Sequence, residues 1–465
     1  MDYHFNFKIK LPLVAAVAAL FMQCNSADTK NSSGTVPETP AAPLTDEQLI
    51  DLVEKQTIKY FWDYAEPNSG LARERYHPDG NYPDNDANIV TTGGSGFGIL
   101  SLIAADSRGY ITRAQFTERM GKIATFLENA DRFHGAWPHW MDGNTGHVKP
   151  FGTKDNGGDL VETAFLCEGL ICVREYLKNG TAEEKALANR YDALWKGVDW
   201  DWYRNGQDVL YWHWSPNYNW EMNFPLAGYN ECLITYIMAS ASPTHGITAA
   251  PYHKGWARNG DIVSANTKYG YPLILKHNYS EEYGGPLFWA HYSYVGLDPH
   301  QLTDQYANYW DLNYNQVMID YKYCVENPHH YAGYGANYWG LTASYTRNPD
   351  GSTGYTAHQP NNDTGVISPT AAASSIVYTP QESIAFMRNL YENHSSLTWG
   401  PAGFYDAHSQ QYNWSVKWYL AIDQGPTPVM IENYRSGLLW NLFMNAPEVQ
   451  QGLLNLGFHS GKYGF

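Results

Sequence analysis

The sequence has few charged residues and few cysteines. Charged residues make up 17% of the 465 positions, and 30 Lys and Arg against 47 Asp and Glu give a formal net charge of −17. This acidic balance repels phosphate backbones and excludes nucleic acid as an expected partner. There are five cysteines, with no CxxC pair and no zinc spacing. We therefore expect the last four to be small apolar core residues, with a single disulfide left open: Cys167, Cys172, Cys232 and Cys324.

Long hydrophobic runs are also missing. The apolar run LPLVAAVAALFM, residues 11–22, is too short for an ordinary membrane span, and it follows Lys8 and Lys10 and precedes Cys24. This pattern predicts a secretion signal over 1–24 of the lipoprotein type, with a lipid on Cys24 and a location at the outer membrane or in the periplasm. Bulky residues at 21–23 replace the usual small ones, so plain secretion and an uncleaved anchor stay open.

Aromatic residues, in contrast, are abundant, with 17 Trp, 37 Tyr and 17 Phe. Residues 25–44 are polar, small and proline-containing, which is typical of a flexible linker. The remaining 45–465 are long enough for one large folded domain. Flat apolar side chains on its loops can stack on sugar rings as well as fill a core.

Two kinds of helical segment alternate along this domain. Apolar segments, expected to be buried on both sides, cover 93–105, 157–173, 226–239, 285–297, 368–378 and 425–443. Amphipathic segments cover 45–64, 112–129, 182–203, 302–327 and 380–393, with a weaker one at 246–260. Alternation of six inner with six outer helices predicts an all-α fold, an (α/α)6 toroid of six helical hairpins with long aromatic-rich loops. An irregular helical domain with a small β domain is the alternative.

The segment DNGGDLVETAFLCEGL places three carboxylates at the start of an apolar helix: Asp155, Asp159 and Glu162. One carboxylate there would serve as a helix cap. Three need a polar pocket, because an apolar helix offers them little solvent. Glycosidases use such a pocket to keep one carboxyl group protonated and another ionised.

Two further carboxylates lie on other inner segments. Glu231 has apolar neighbours that would raise its pKa, as a general acid requires, although a capping role stays open. Asp423 stands at a loop-to-helix junction as a cap or as a base. Glu432 and Arg435, three apart, are expected to form a structural ion pair.

Tryptophans gather in the loops as candidate sugar-binding platforms. Each one alone is typical of packing, but their grouping beside acidic helix ends favours carbohydrate binding. The candidates are Trp137, Trp140, Trp212, Trp214, Trp220 and Trp339.

Motifs of other chemistries are missing from the sequence, which has no HExxH, GxSxG, phosphate loop or DDxxD. Asp84, Asp86 and Asn88 have calcium-loop spacing, but Ser95 replaces the glutamate that would complete the loop. We therefore expect neither a metal nor a cofactor.

Three stretches resemble a known family: GTKDNGGDLVETAFLCEGL, FPLAGYNECLITYIMASASPTHG and AIDQGPTPVMIENYRSGLLW. Over nearly all of 45–465 the chain is similar to the glycoamylase-like bacterial secreted proteins, and most similar to glycoside hydrolase family 144. The resemblance implies an (α/α)6 barrel, hydrolysis of β-1,2-glucan by endo action or by release of sophorose, and acidic site positions at Asp155, Asp159, Glu162, Glu231 and Asp423. It leaves their individual roles open.

These observations predict a glycoside hydrolase of the cell envelope, a monomer that acts on a glucan by carboxylate acid/base catalysis. Glu231 is the expected acid, one of Asp155, Asp159 and Asp423 the expected base, and inversion the expected stereochemistry. The alternatives are a glucoamylase-type α-glucosidase and a non-catalytic glycan-binding lipoprotein. A polysaccharide lyase would need a basic cleft, which the acidic composition disfavours.

Overall fold

The computed structural model describes residues 43–82, 86–279 and 282–465. The predicted signal segment, Cys24, almost all of the linker and Asp84 lie outside the described residues. The first helix begins at Asp46, because the side chain of Thr45 caps its N-terminus and Gln48 completes a capping box.

The described chain is mainly α-helical, which confirms the predicted fold class. Its helices are α1 (Asp46–Trp62), α2 (Thr92–Ser107), α3 (Arg113–Asn129), α4 (Leu160–Leu177), α5 (Ala182–Lys196), α6 (Leu233–Ala241), α7 (Tyr309–Glu326), α8 (Pro369–Ser374), α9 (Pro380–Thr398), α10 (Ala421–Gln424), α11 (Pro426–Ser436), α12 (Leu438–Met444) and α13 (Pro447–Asn455). Short 3-10 or π helices cover Trp202–Arg204, Pro251–Trp256, Arg258–Gly260, Leu287–Ala290, Tyr292–Tyr294 and Ser375–Val377.

The strands are short antiparallel ribbons between the helices. They are β1 (Arg75–Tyr76), β2 (Ile89–Thr91), β3 (Trp140–Asp142), β4 (Val148–Lys149), β5 (Gly158–Asp159), β6 (His213–Trp214), β7 (Thr267–Lys268), β8 (Tyr271–Pro272), β9 (Leu302–Thr303), β10 (Ala343–Arg347), β11 (Thr353–Ala357), β12 (Trp399–Gly400), β13 (Gly403–Phe404), β14 (Ala407–Ser409), β15 (Trp414–Val416), β16 (Tyr419–Leu420) and β17 (His459–Ser460). The largest sheet in the described chain has three strands, β2–β3–β4, so these ribbons build no separate β domain.

The inner helices form the centre of the molecule. Helix α2 packs on α4 and α11, α4 packs on α6, and α11 packs on α8, while α1, α3, α5 and α9 lie outside them. Nearly every residue of α2 and α4 is buried, as their apolar sequences predict. Helices α2 and α4 approach closely because Gly96 has no side chain: a Cβ there would lie 2.2 Å from the carbonyl oxygen of Phe165.

Three segments differ from the expected helices. The third inner helix begins only at Leu233, because Gly228 adopts a φ of 87° that a helix does not allow. The fourth inner segment consists of two 3-10 helices, Leu287–Ala290 and Tyr292–Tyr294, and the weak outer segment is a π helix over Pro251–Trp256. The expected Glu432–Arg435 pair is wrong: Arg435 binds acidic residues of α1, and Glu432 binds Arg108.

The four cysteines of the domain are free and buried, which confirms their expected place in the core. Within the described ranges, we find no helix that combines the length and the apolar character needed to cross a membrane.

Candidate functional site

The site is built around the first turn of α4. Strand β5 pairs with β6 so that Asp159 faces His213 in register, and α4 starts directly after Asp159. Asp159 Oδ1 accepts the backbone N–H groups of Val161 and Glu162, at 3.0 and 2.9 Å. One oxygen of this carboxylate is therefore a helix cap. The other oxygen, Oδ2, lies 3.0 Å from His139 Nδ1.

Glu162 reaches from α4 to the N-terminus of α2. Its Oε2 accepts the N–H of Gly93 at 2.6 Å, and its Oε1 lies 4.0 Å from His139 Nε2. A Cβ at position 93 would lie 2.6 Å from that first oxygen, so only glycine leaves room for the carboxylate. Burial raises the pKa of Glu162 to about 7 against the opposing effect of His139, and the Asp159 charge adds to the rise.

His139 supplies the positive charge of this group. Burial disfavours its charged form, but the Glu162 and Asp159 carboxylates outweigh burial and raise the pKa of His139 to about 10. Burial would raise the pKa of Asp159, yet the hydrogen bond from His139 and the nearby His213 hold it below its usual value. The imidazolium thus keeps Asp159 ionised in a site that excludes solvent.

Asp155 completes the acidic group. Its Oδ1 lies 3.2 Å from His213 Nδ1, and the same nitrogen lies 3.8 Å from Asp159 Oδ2. His139, Asp155 and Asp159 offer ligand atoms within 4.8 Å of one another, which is close enough to hold a metal ion. His139 supplies one positive charge to this group.

Glu231 lies in the turn before α6, where the charges of Glu162 and Asp159 reach it, and its side chain is half-buried. Burial raises the pKa of Glu231 to about 7, with further increases from the charges of Glu162 and Asp159 and a decrease from the Trp289 indole. A carboxyl group with this pKa is protonated in a large fraction of molecules at neutral pH. It can therefore donate a proton.

Asp423 lies in α10 and is joined by a residue that the sequence analysis missed, Asp406. Tyr292 donates its hydroxyl hydrogen to Asp423 Oδ1 at 3.1 Å, and the N–H of Tyr345 donates to Asp406 Oδ2 at 2.8 Å. Burial raises the pKa of Asp406 to about 6, and burial and the Asp406 charge raise that of Asp423 well above its usual value. An aspartate between apolar strand residues, as in FYDA, was the available signal for Asp406.

Glu74, also missed, acts electrostatically both on Glu162 and on the Asp406–Asp423 pair. The backbone N–H of Ala421 donates to its carbonyl oxygen, which places Glu74 at the start of α10 beside the β1–β16 pair. Its charge raises the pKa of Glu162, Asp406 and Asp423. The five predicted carboxylates therefore share one electrostatic environment with Glu74 and Asp406. Glu74 was hidden because it stands in a run of charged residues, RERY.

The candidate tryptophans divide into three sets. Trp137 and Trp339 are fully buried in the core, so their prediction as sugar platforms is wrong. Their indoles pack against Arg132 and Phe386, respectively, and no face is open to a ligand. Both stand in loop sequences, HGAW and ANYW, and only tertiary packing covers them.

Trp140 and Trp212 lie beside the acidic group. Trp140 contacts His139 edge to face at 5.8 Å, and Trp212 lies parallel to His213. Trp214 and Trp220 contact Trp202 instead of a histidine of the acidic group. Trp214 and Trp220 therefore belong to a separate aromatic cluster around Trp202.

Comparison with known proteins gives consistent similarities. A family model described as "Putative glucoamylase", of the Glycoamylase family, matches residues 223–447. The chain is 45% identical over 445 residues to the exo β-1,2-glucooligosaccharide sophorohydrolase of Parabacteroides distasonis, a match that covers 91% of the chain. The chain spans 59% of the length of that relative.

A solved structure is similar over its whole length. It is the endo-β-1,2-glucanase from Chitinophaga pinensis in complex with sophorotriose and glucose, which is 60% identical. The match covers 90% of this chain and 100% of that one, with a TM-score of 0.88. The same helical architecture therefore holds for both proteins.

Proposed function

From the premise that this chain belongs to the glycoamylase-like family, we propose that it is a glycoside hydrolase that cleaves β-1,2-glucan. The observation that carries the proposal is the half-buried Glu231, whose pKa is raised to about 7, within the electrostatic reach of the ionised Asp159. A protonated and an ionised carboxyl group on either side of a glycosidic bond are what hydrolysis requires. The relatives from Parabacteroides and Chitinophaga act on β-1,2-linked glucans by their names, which supports the choice of substrate.

In this proposal Glu231 is the general acid. An attacking water forms a bond to C1, one of its protons passes to a carboxylate, the C1–O bond breaks, and the leaving oxygen takes the proton of Glu231. Asp423 and Asp155 are the candidate bases. Asp159 serves better to position the site, since its two oxygens are held by the α4 backbone and by His139. A single displacement of this kind inverts the anomeric centre, which proton NMR of the first product can measure.

Indole N–H groups support sugar binding at this place. The N–H groups of Trp140 and Trp212 are buried, and neither has a hydrogen-bond partner among the described residues. Buried donors are normally paired, and the hydroxyl groups of a glucan could pair them here. Trp140 and Trp212 flank the histidines of the acidic group, and Trp289 lies beside Glu231.

The test is product analysis after incubation of the purified full chain with linear β-1,2-glucan. Starch, laminarin and cello-oligosaccharides serve as parallel substrates. A series of β-1,2-linked oligomers would indicate endo action, and sophorose alone would indicate exo action. Product from starch alone would replace the proposal with an α-glucosidase, and bound β-1,2-glucan without any product would replace it with a glycan-capturing protein.

We also propose that the protein is a monomer anchored in the cell envelope by a lipid on Cys24. The support is the sequence of residues 1–24, since they are outside the described part of the structure. Metabolic labelling with a tritiated fatty acid should mark the protein, and Cys24→Ala should abolish the label. Light scattering of the delipidated chain tests the monomer.

A further inference from the structure

Two buried carboxyl groups, those of Asp406 and Asp423, lie within hydrogen-bond reach of each other. Their side chains are 2% and 1% exposed, and both residues line the same cavity of about 10 Å³, beneath α10. One oxygen of each has a donor, the N–H of Tyr345 for Asp406 and the hydroxyl of Tyr292 for Asp423. The other two, Asp406 Oδ1 and Asp423 Oδ2, have no donor among the described residues.

Two carboxylates so placed cannot both stay ionised, because their charges repel each other in a medium of low dielectric constant. A single proton between them removes one charge and gives both unpaired oxygens a hydrogen-bond partner. We propose that Asp406 and Asp423 share one proton at neutral pH, and that Asp406 is the positioning residue that sets the charge available on Asp423.

The surroundings of the pair favour this arrangement. The titratable groups that face it are Glu74, Tyr292, Tyr345 and Tyr355. Glu74 brings a further negative charge, which strengthens the hold on the proton. Tyr292 and Tyr345 stay neutral, since burial raises the pKa of each. The pair therefore carries one proton and one negative charge, and such groups titrate together rather than singly.

This inference rests on the proposed function only where it concerns the reaction. If Asp423 is the base, the single negative charge of the pair accepts the proton of the attacking water. The pair then holds two protons and releases one to solvent before the next cycle. A second proton bound in the resting enzyme would block this step, so the pair sets the acidic limb of the pH profile.

The substrate-independent test is isotope-edited infrared spectroscopy of the full chain, labelled at the aspartate side-chain carboxyl carbons. At neutral pH a protonated carboxyl band should be lost from Asp406→Asn and from Asp423→Asn alike. Asp320→Asn is the matched control. Asp320 is also fully buried with a raised pKa, and it accepts the N–H of Leu341 far along the chain from the pair. In Asp320→Asn the infrared band of Asp320 should disappear, and the band of the Asp406–Asp423 pair should remain. A band of the pair that survives in Asp406→Asn would overturn the shared proton.

The kinetic test is the pH profile of kcat/KM on β-1,2-glucan. In the Asp406→Asn variant the new amide can still accept from Tyr345 and can donate to Asp423, so the pKa of Asp423 should fall. The acidic limb should then move by about one pH unit or more to lower pH. At the optimum, Asp406→Asn should lose less than about tenfold in kcat, and Asp423→Asn about 100-fold or more. If Asp406→Asn loses the infrared band but the acidic limb of its pH profile does not move, Asp406 has no role in the reaction. Absence of hydrolysis in the unaltered chain would instead sink the proposed function and leave the infrared result standing.

Discussion

His139 Nδ1 lies 3.0 Å from Asp159 Oδ2, and this ion pair ties the segment before β3 to the cap of α4. Substitution His139→Gln removes the positive charge of the pair and leaves Asp159 buried with its negative charge. We expect a loss of about 3–5 kcal/mol in the free energy of unfolding, the usual cost of breaking a buried pair. Urea denaturation measures it. His147→Gln is the control, since His147 is 75% exposed and its pair with Asp131 should contribute little.

The same pair predicts how stability depends on pH. Because the pKa of His139 is raised from 6.5 to about 10 on folding, its contribution is complete below pH 6.5 and is lost as the pH rises through 10. The difference in stability between the unaltered chain and His139→Gln should therefore shrink between pH 7 and pH 10. A difference that stays constant over this range would show that His139 is neutral in the folded protein.

The substitution Glu231→Gln tests whether Glu231 is the general acid. The amide cannot donate the proton that the leaving oxygen needs, so we expect kcat on β-1,2-glucan to fall by about 100- to 10,000-fold. Binding of the glucan and the melting temperature should change little. In the unaltered enzyme the rate should fall as the pH rises through about 7, because the acid must be protonated. Glu326→Gln, at an exposed position at the end of α7, is the control. Full activity of Glu231→Gln would exclude Glu231 as the acid.

Arg435 joins α11 to α1 and is predicted to matter for stability alone. Its guanidinium pairs with Glu54, which is fully buried, and also with Glu47 and Asp51. Arg435→Met should cost about 1–3 kcal/mol, since the buried Glu54 loses its hydrogen-bond donor. Burial and the nearby Glu432 already raise the pKa of Glu54 to about 8.

The control for Arg435 is Arg388→Met. Arg388 pairs with exposed Asp46 and Glu392, so its loss should cost less than about 1 kcal/mol. Chemical denaturation compares the free energies of unfolding of the two variants. Their kcat, measured at denaturant concentrations below both unfolding transitions, should be unchanged. Equal losses of stability in the two variants would mean that the burial of Glu54 does not make the contacts of Arg435 stronger than those of Arg388.

Trp140 and Trp220 are expected to contribute differently to substrate binding. Trp140→Ala removes an indole that contacts His139, and stacking contacts of this size are worth about 0.5–1.5 kcal/mol. We therefore expect KM for the glucan to rise by about 2- to 10-fold. Trp220→Ala removes an indole that contacts Trp202 and no histidine of the acidic group, so it should leave KM unchanged. A rise in KM for Trp220→Ala alone would show that the glucan binds at the Trp202 cluster rather than beside His139.

The helical fold was readable from the sequence because inner and outer helices bury different amounts of surface. An inner helix such as α4 is apolar on all sides, and an outer helix such as α3 shows a single apolar stripe. The sequence also singled out Asp155, Asp159, Glu162, Glu231 and Asp423 as candidates, since carboxylates at the ends of apolar helices need a polar environment. These signals are local, and periodicity and composition carry them.

Tertiary structure alone decided the rest. Asp406 and Glu74 lie on short loops whose partners are remote in sequence, so the local sequence does not show which residues they meet. The partner of Arg435 is on α1 rather than one turn away, because a side chain near a helix end can reach a neighbouring helix as easily as its own. Whether a loop tryptophan is covered, like Trp339, or flanks the site, like Trp140, depends on what packs over it. Burial is a property of the whole fold, and it sets both the pKa of a carboxyl group and the access of a sugar ring.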